Sequence, residues 1–237
     1  STIESSDGSS NPNIVVVTSV SEINAVASGK IAEVRQDIDA ASGTISPNNN
    51  VTIALVGGDV TNIGSLVGDE TSFYFINENA VFDISSATVT GDFLGDKFNL
   101  SNLGGVADGS TDNKNTFEEA LKIAKSANGV VVANKIGSSI YKISSTNFKS
   151  GVSPFYPNQI AGAPYIDGCE LHIEKDVTIS KIADNLEKNF LFCLWNPNGK
   201  ITGEGIIEGD RYTHDYQVTA NLTTAITSGT YVNFRLL

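Results

Sequence analysis

Residues 98–132 read FNLSNLGGVADGSTDNKNTFEEALKIAKSANGVVV: a Gly-rich turn with acids, then an amphipathic helix, then a β-branched run. Each part has a local physical cause. Asp112 stands where a helix needs an N-cap, its carboxylate placed to accept unpaired N–H groups of the first turn, with Glu118 and Glu119 toward the same positive end. From Asn113 onward, Phe117, Ala120, Leu121 and Ala124 recur at i, i+3, i+4 and i+7. One stripe of the helix is therefore apolar, while Glu118, Glu119, Lys122 and Lys125 look outward. Such a stripe has to cover something. Asn128-Gly129 supplies a left-handed stop, and Val130-Val131-Val132 follows as a strand.

The order Gly-x-x-Asp-Gly-x-Thr-Asp, a helix with Phe and Ala-Leu, then Gly and valines resembles the entry segment of the pectate-lyase-like right-handed β-helices. That segment is common in bacteriophage tailspikes and in secreted polysaccharide-degrading enzymes. The match is carried by Gly105, Asp108, Gly109, Thr111, Asp112, Phe117, Ala120, Leu121 and Gly129. It departs from the family pattern twice: Leu103-Gly104 stands for an aromatic-Gly pair, and Ala133-Asn134-Lys135 for a proline-rich turn. The resemblance implies that the helix lies across the open N-terminal end of a β-helix and shields its first coil, with Asp108, Asp112, Phe117 and Leu121 as capping residues.

A second stretch points the same way. Residues 169–179, CELHIEKDVTI, and 199–209, GKITGEGIIEG, look like two successive coils of a polygalacturonase-type β-helix. Leu171, Ile173, Val177 and Ile179 alternate with polar residues, the period of a half-buried strand. His172, in that alternation, points outward. The pairs Ile179/Ile201, Cys169/Cys193, Ile182/Ile206 and Ile201/Ile226 lie 22 to 25 residues apart, a spacing that suits one coil with like residues stacked about 4.8 Å apart. If Cys169 and Cys193 stack, a disulfide and two buried free thiols are both open, free thiols being the commoner case. The resemblance spans residues 98 to 216.

Composition sets the outer bounds. The chain has 237 residues, is 40% apolar and only 18% charged, and carries a net charge of −12. These values describe a turn-rich β protein with enough apolar content for a core. The acidic balance, without a Lys/Arg cluster, argues against nucleic acid and anionic membrane as partners. No apolar run approaches the length of a membrane span, and the polar start 1–13 lacks the regions of a signal peptide. Two cysteines make no disulfide scaffold. The absence of methionine and the apolar last residues, FRLL, suggest part of a longer chain.

Three segments follow. Residues 1–50 read as an N-terminal arm and helix for particle attachment and trimerisation. A short strand is expected at 14–18. The segment 20–40 has helical periodicity, with Ile23, Ala27, Ile31, Val34 and Ile38 on one stripe; it fits either a trimeric coiled-coil seam or a helix packed on its own domain. Residues 51–100 read as a small β-domain or leading coil, with strands at 51–56, 72–76, 80–84 and 88–93 and a hairpin turn at Asn77-Glu78-Asn79. Residues 101–237 hold the capping helix and first coils, with a strand at 140–143 and a Pro/Gly/Asn-rich insertion at 150–168. The fold class is thus mainly β: a right-handed parallel β-helix start capped by an amphipathic helix, preceded by a short helix and a small β-domain.

Chemistry is thinly marked. The Asn-Thr-Asp, Asp-Asp, Gly-His-Gly and Arg-Ile-Lys signatures of β-helix glycosidases are absent from 210–237, so no catalytic residue carries over. Glu204, Glu208 and Asp210, with His214 and Asp215, form the best local set for a glycosidic two-carboxylate mechanism, but a solvated strand end explains them better. Lys, Arg and His show no grouping that would give a lyase its base and cation. Phe155, Tyr156 and Tyr165 could stack on sugar rings, against the commoner reading of loop packing. The acids of 108–119 miss the calcium-loop template, Gly203–Gly209 misses the dinucleotide fingerprint, and His172 and His214 lack partners for a zinc site. No cofactor or metal is expected. The functional expectation is a structural virion protein, the N-terminal part of a tailspike or tail fibre acting at the host cell surface. Its expected partners are two further copies of itself, other tail or capsid proteins and host surface polysaccharide. The alternatives are a glycoside hydrolase or polysaccharide lyase with active coils beyond residue 237, and a cell-surface adhesin.

Overall fold

The computed structural model describes residues 11–144, 146–147, 164–183, 189–195 and 199–209. The chain is mainly β. Its first part runs β1 (Ile14–Val17), α1 (Val20–Ala25), β2 (Ile31–Val34), β3 (Ile38–Asp39), β4 (Thr44–Ile45), β5 (Thr52–Leu55), β6 (Val60–Thr61), β7 (Ser65–Phe75) and β8 (Thr88–Leu94). The second runs β9 (Lys97–Asn99), β10 (Asp108–Asp112), α2 (Lys114–Ala127), β11 (Val130–Ala133), β12 (Ile140–Ile143), β13 (Thr146–Asn147) and β14 (Tyr165–Asp167). It ends in β15 (Glu170–Ile173), β16 (Thr178–Lys181), β17 (Asn189–Phe190), β18 (Cys193–Trp195), β19 (Lys200–Gly203) and β20 (Ile206–Glu208).

Strands pair in parallel with strands later in the chain. Ile14 faces Ile31, Ile31 faces Thr52 and Thr52 faces Ser72. On the next faces Ile38 meets Val60, and Thr44, Ser65 and Thr88 follow one another. Later, Phe98, Val131, Leu171 and Ile201 form one column, and Tyr141, Ile179 and Ile207 another. Only β13–β17 is antiparallel among the described ladders. Since β side chains alternate, every second residue of a strand points inward and stacks on its equivalents, so Ala32, Ile53, Val34 and Leu55 are almost wholly buried. Corners repeat as well: Gly29, Asn50 and Glu70 all have positive φ, each two residues before Ile31, Thr52 and Ser72.

Several expectations need correction. The helix at 20–40 is only α1, six residues long; Ile31, Val34 and Ile38 are strand residues, with Val34 and Ile38 in the core. The strip that imitated a helical stripe is a strand, a corner and a second strand, each turning apolar side chains inward, and no coiled-coil seam exists there. No hairpin forms at 77–79, where Ala80 N–H closes a tight turn on Asn77 O, and the segment 80–84 contributes only a bridge from Phe82 to Val60. β2 and β5, on either side of residue 50, pair over four residues. The spacing read for the later coils is also too short. Ile201 stacks on Leu171 rather than Ile179, Ile206 on Thr178 rather than Ile182, and Cys193 on Tyr165 rather than Cys169. Cys169 is a buried free thiol. Spacings near twenty belong instead to residues 31–94.

α2 is an internal element, because parallel ladders from Ile14 onward precede it. It takes the place of a strand along the edge of β8. Asn115 Nδ2 donates to Ser85 O (2.7 Å) and Ala87 O (3.3 Å), Val89 N–H donates to Glu119 Oε2 (2.7 Å), and Phe93 N–H donates to Ser126 Oγ (3.1 Å). Those three side chains share one helical stripe and satisfy main-chain groups that an open edge would expose. Glu119, expected outside, is therefore buried and paired with Lys122 at 2.7 Å. The opposite face holds Phe117 edge-on to Tyr141 and Phe192, with ring centroids 6.1 and 5.3 Å apart.

Candidate functional site

The outer face of β9, β11, β15 and β19 is assembled by register. Inward residues of these strands fill the core, so the alternate residues form two outward columns: Lys97, Val130, Glu170, Lys200 and Asn99, Val132, His172, Thr202. Strand stacking brings four polar groups of β15 and β19 together. The Thr202 hydroxyl donates to Glu170 Oε1, and Lys200 Nζ pairs with Glu170 Oε2. His172 Nδ1 lies 2.9 Å from Thr202 Oγ1 and 3.9 Å from Glu170 Oε1.

The hydroxyl has one proton and spends it on a carboxylate, so His172 Nδ1 carries the proton of the second bond. Nε2 is then the nitrogen available to a ligand. The lysine ammonium, followed by the Thr202 hydroxyl, holds the Glu170 carboxyl below its ordinary pKa. The cluster offers a proton acceptor beside a cation. It is not a nucleophilic triad, because the Thr202 proton points to Glu170 rather than to a base. Sequence reading placed His172 outward but missed the grouping, since 30 residues separate Glu170 from Lys200 and only the register joins them.

The residues named from sequence fall into three places. Asp108 and Asp112 lie in β10 just before α2, and Phe117 and Leu121 on the buried face of the helix. Asp108 accepts from the backbone N–H groups of Ser110 and Thr111 (both 2.7 Å) and from their hydroxyls, which keeps its carboxyl well below the usual range. Asp112 accepts from Lys114 N–H (3.0 Å) and Ser144 N–H (2.9 Å), so it does serve the first turn, although the helix begins after Asn113. Leu121 O faces the Cys169 thiol. Glu204 is exposed just after β19, while Glu208 lies in β20 opposite Ser180, on a different sheet. Tyr165 is half-buried in β14, paired with β18. Phe155, Tyr156, Asp210, His214 and Asp215 lie outside the described residues.

Asn113 is the residue that sequence reading undervalued. It is 1% exposed. Its Oδ1 accepts from Val106 N–H at 2.7 Å, and its Nδ2 faces the carbonyls of Thr111 (2.8 Å), Val106 (3.0 Å) and Lys142 (3.1 Å). One amide therefore ties the turn, the helix start and β12 together.

Comparison of the chain with protein-family models, with curated proteins and with solved structures finds no match.

Proposed function

We propose that this chain is a structural part of a virion appendage, a tailspike or tail fibre, whose ladders wind as a right-handed parallel β-helix and present an outer face to host surface glycans. The observation that carries the reading is the run of parallel ladders from Ile14 to Glu208 with α2 built into it. A stack of coils is a rigid rod held by nearest-neighbour contacts, suited to projecting a surface away from a particle. Resemblance of residues 98–132 to the tailspike entry segment supports the same reading, as does an outer strip of hydroxyl, amide, imidazole and ammonium groups suited to sugar hydroxyls. α1 is too short for a three-fold seam, so the homotrimer rests on the resemblance alone.

A second reading, a polysaccharide lyase, is favoured by the gathering of His172 and Lys200 around the Glu170 carboxylate. Elimination needs a base for the proton and a cation for the neighbouring carboxylate. The test is incubation of the purified chain with host capsular and lipopolysaccharide fractions. Retention of polysaccharide with no reducing ends or unsaturated products is the expected result. Failure to retain any fraction would remove the appendage reading. Unsaturated products that disappear in His172→Ala would put the lyase reading first.

A further inference from the structure

The stack of coils has an opening. On one side β7 pairs with β4 at Ser65 and Leu66 and with β5 from Ser72 to Phe75, but on the other β8 follows it only as far as Ser72. The next strand on that face, β9, pairs with β11 instead, and no backbone hydrogen bond joins β7 to β9. The consequence shows in the core. Ile53 and Leu55, one coil below, are fully buried, as is Leu100 on the other side, yet Phe73 and Phe75 are partly exposed. A groove of about 850 Å³ lies between the two edges, with Phe73, Phe75 and Val81 at its base and Tyr74, Lys97 and Asn99 along its rims.

Both rims present unpaired main chain. Ser72 N–H donates to Val51 O, just before β5, and Ile76 N–H to Leu55 O, so by strand alternation Phe75 turns its N–H and C=O away from β5, into the groove. Val130 N–H donates to Asp96 O and Leu100 N–H to Val132 O, so Lys97 and Asn99 turn theirs away from β11, toward β7. Asn99 adds a buried Oδ1 with no hydrogen-bond partner. Lys97 makes no ion pair among the described residues.

We propose that this groove binds an extended peptide that enters as a strand between β7 and β9, parallel to both, with apolar side chains turned toward Phe73 and Phe75 and acidic ones toward Lys97. A strand is the ligand that answers facing rows of N–H and C=O groups, and both flanking ladders are parallel. Alternation fixes its chemistry. Side chains pointing inward meet phenylalanine rings, and those pointing outward meet Tyr74, Asn99 and the unpaired ammonium of Lys97. About five residues, at roughly 3.3 Å each, span the groove. A sugar chain offers no matching alternation of donors and acceptors at this spacing.

The probe is an acetylated, amidated seven-residue peptide alternating valine and glutamate, added to the full 237-residue chain. Amide exchange is read at Phe75, Lys97 and Asn99. These amides are expected to exchange rapidly in the free protein and to become protected at saturation, with amides of β2 and β15 unchanged. Lys97→Glu should weaken that peptide by about tenfold and favour the valine–lysine counterpart by a similar factor; the rim position makes the variant neutral for folding, which its thermal midpoint checks. N-methylation of the peptide's alternate amides should abolish protection. No protection at millimolar peptide, protection unaffected by N-methylation, or protection of the same amides by an acidic oligosaccharide and not by the peptide would each overturn the proposal. Glu170, His172, Lys200 and Thr202 do not line the groove, so retention of host polysaccharide by His172→Ala and Lys200→Ala variants tests the proposed function separately from peptide protection.

Discussion

Asn113 sits at the junction of turn, helix and strand, where its side chain bonds one N–H and faces three carbonyls. Asn113→Ala would take the side-chain partner from Val106 N–H and from the Val106 and Thr111 carbonyls, while Lys142 O keeps the backbone N–H of residue 113; the cost is roughly 1–3 kcal/mol for each group that water cannot reach. A clear fall in thermal midpoint is expected. Asn113→Asp should be at least as damaging at neutral pH, because a carboxylate would face carbonyl oxygens where the amide donates. A tolerated Asp variant would show that the donors do not matter. Asp108 gives a prediction in pH. Its carboxyl is lowered by hydrogen bonds from Thr111 and Ser110, so its contribution is complete above the unfolded value of about 3.9 and is lost as pH falls below it. The difference in midpoint between wild type and Asp108→Asn should therefore be greatest near neutrality and shrink below about pH 4. A difference that grows in acid would contradict the assignment. Of these two residues the sequence marked Asp108 through its turn motif. Asn113 was hidden because an Asn before a helix reads as an ordinary helix start, and its carbonyl partner Lys142 is 29 residues away.

At the level of the element, α2 does two jobs that its sequence showed unequally. The apolar stripe of Phe117, Ala120, Leu121 and Ala124 was legible from helical period alone, and all four are buried. The polar stripe of Asn115, Glu119 and Ser126 was not. Those residues look like a solvated face until a strand edge lies beside them, and only then do their side chains act as ladder partners for β8. Glu119→Leu should leave Val89 N–H unsatisfied, costing about 1–3 kcal/mol, with Lys122 keeping only its 3.8 Å pair to Glu118, while Glu119→Gln, which keeps an acceptor, should cost less. Glu118→Ala, on the half-exposed side, should stay within about 0.5 kcal/mol. Chemical denaturation of the three variants orders them. Equal losses for Glu119→Leu and Glu118→Ala would mean that the edge of β8 does not depend on the helix.

Across the whole molecule, one contiguous apolar core runs from Val17 to Ile179, and Val34 lies within it with no exposed surface. Val34→Asp would bury an unpaired charge, a cost of several kcal/mol or a shifted ionisation. Each strand pairs with its neighbours in the parallel ladders, so hydrogen exchange should rise first in residues 14–60 and least around β15 and β16. A uniform rise would show that the stack unfolds as one unit. The sequence by itself determined the β class, the position of the long helix, its apolar face and several strands, because these follow from local periodicity and turn chemistry that neighbouring residues impose on one another. Tertiary structure alone decided which strands stack. It joined Glu170, His172, Lys200 and Thr202 into one cluster, made core strands of a segment with helical period, and opened the groove between β7 and β9. The physical reason is that parallel pairing links residues about 20 to 40 positions apart, and a one-residue change of register would send every side chain to the other face.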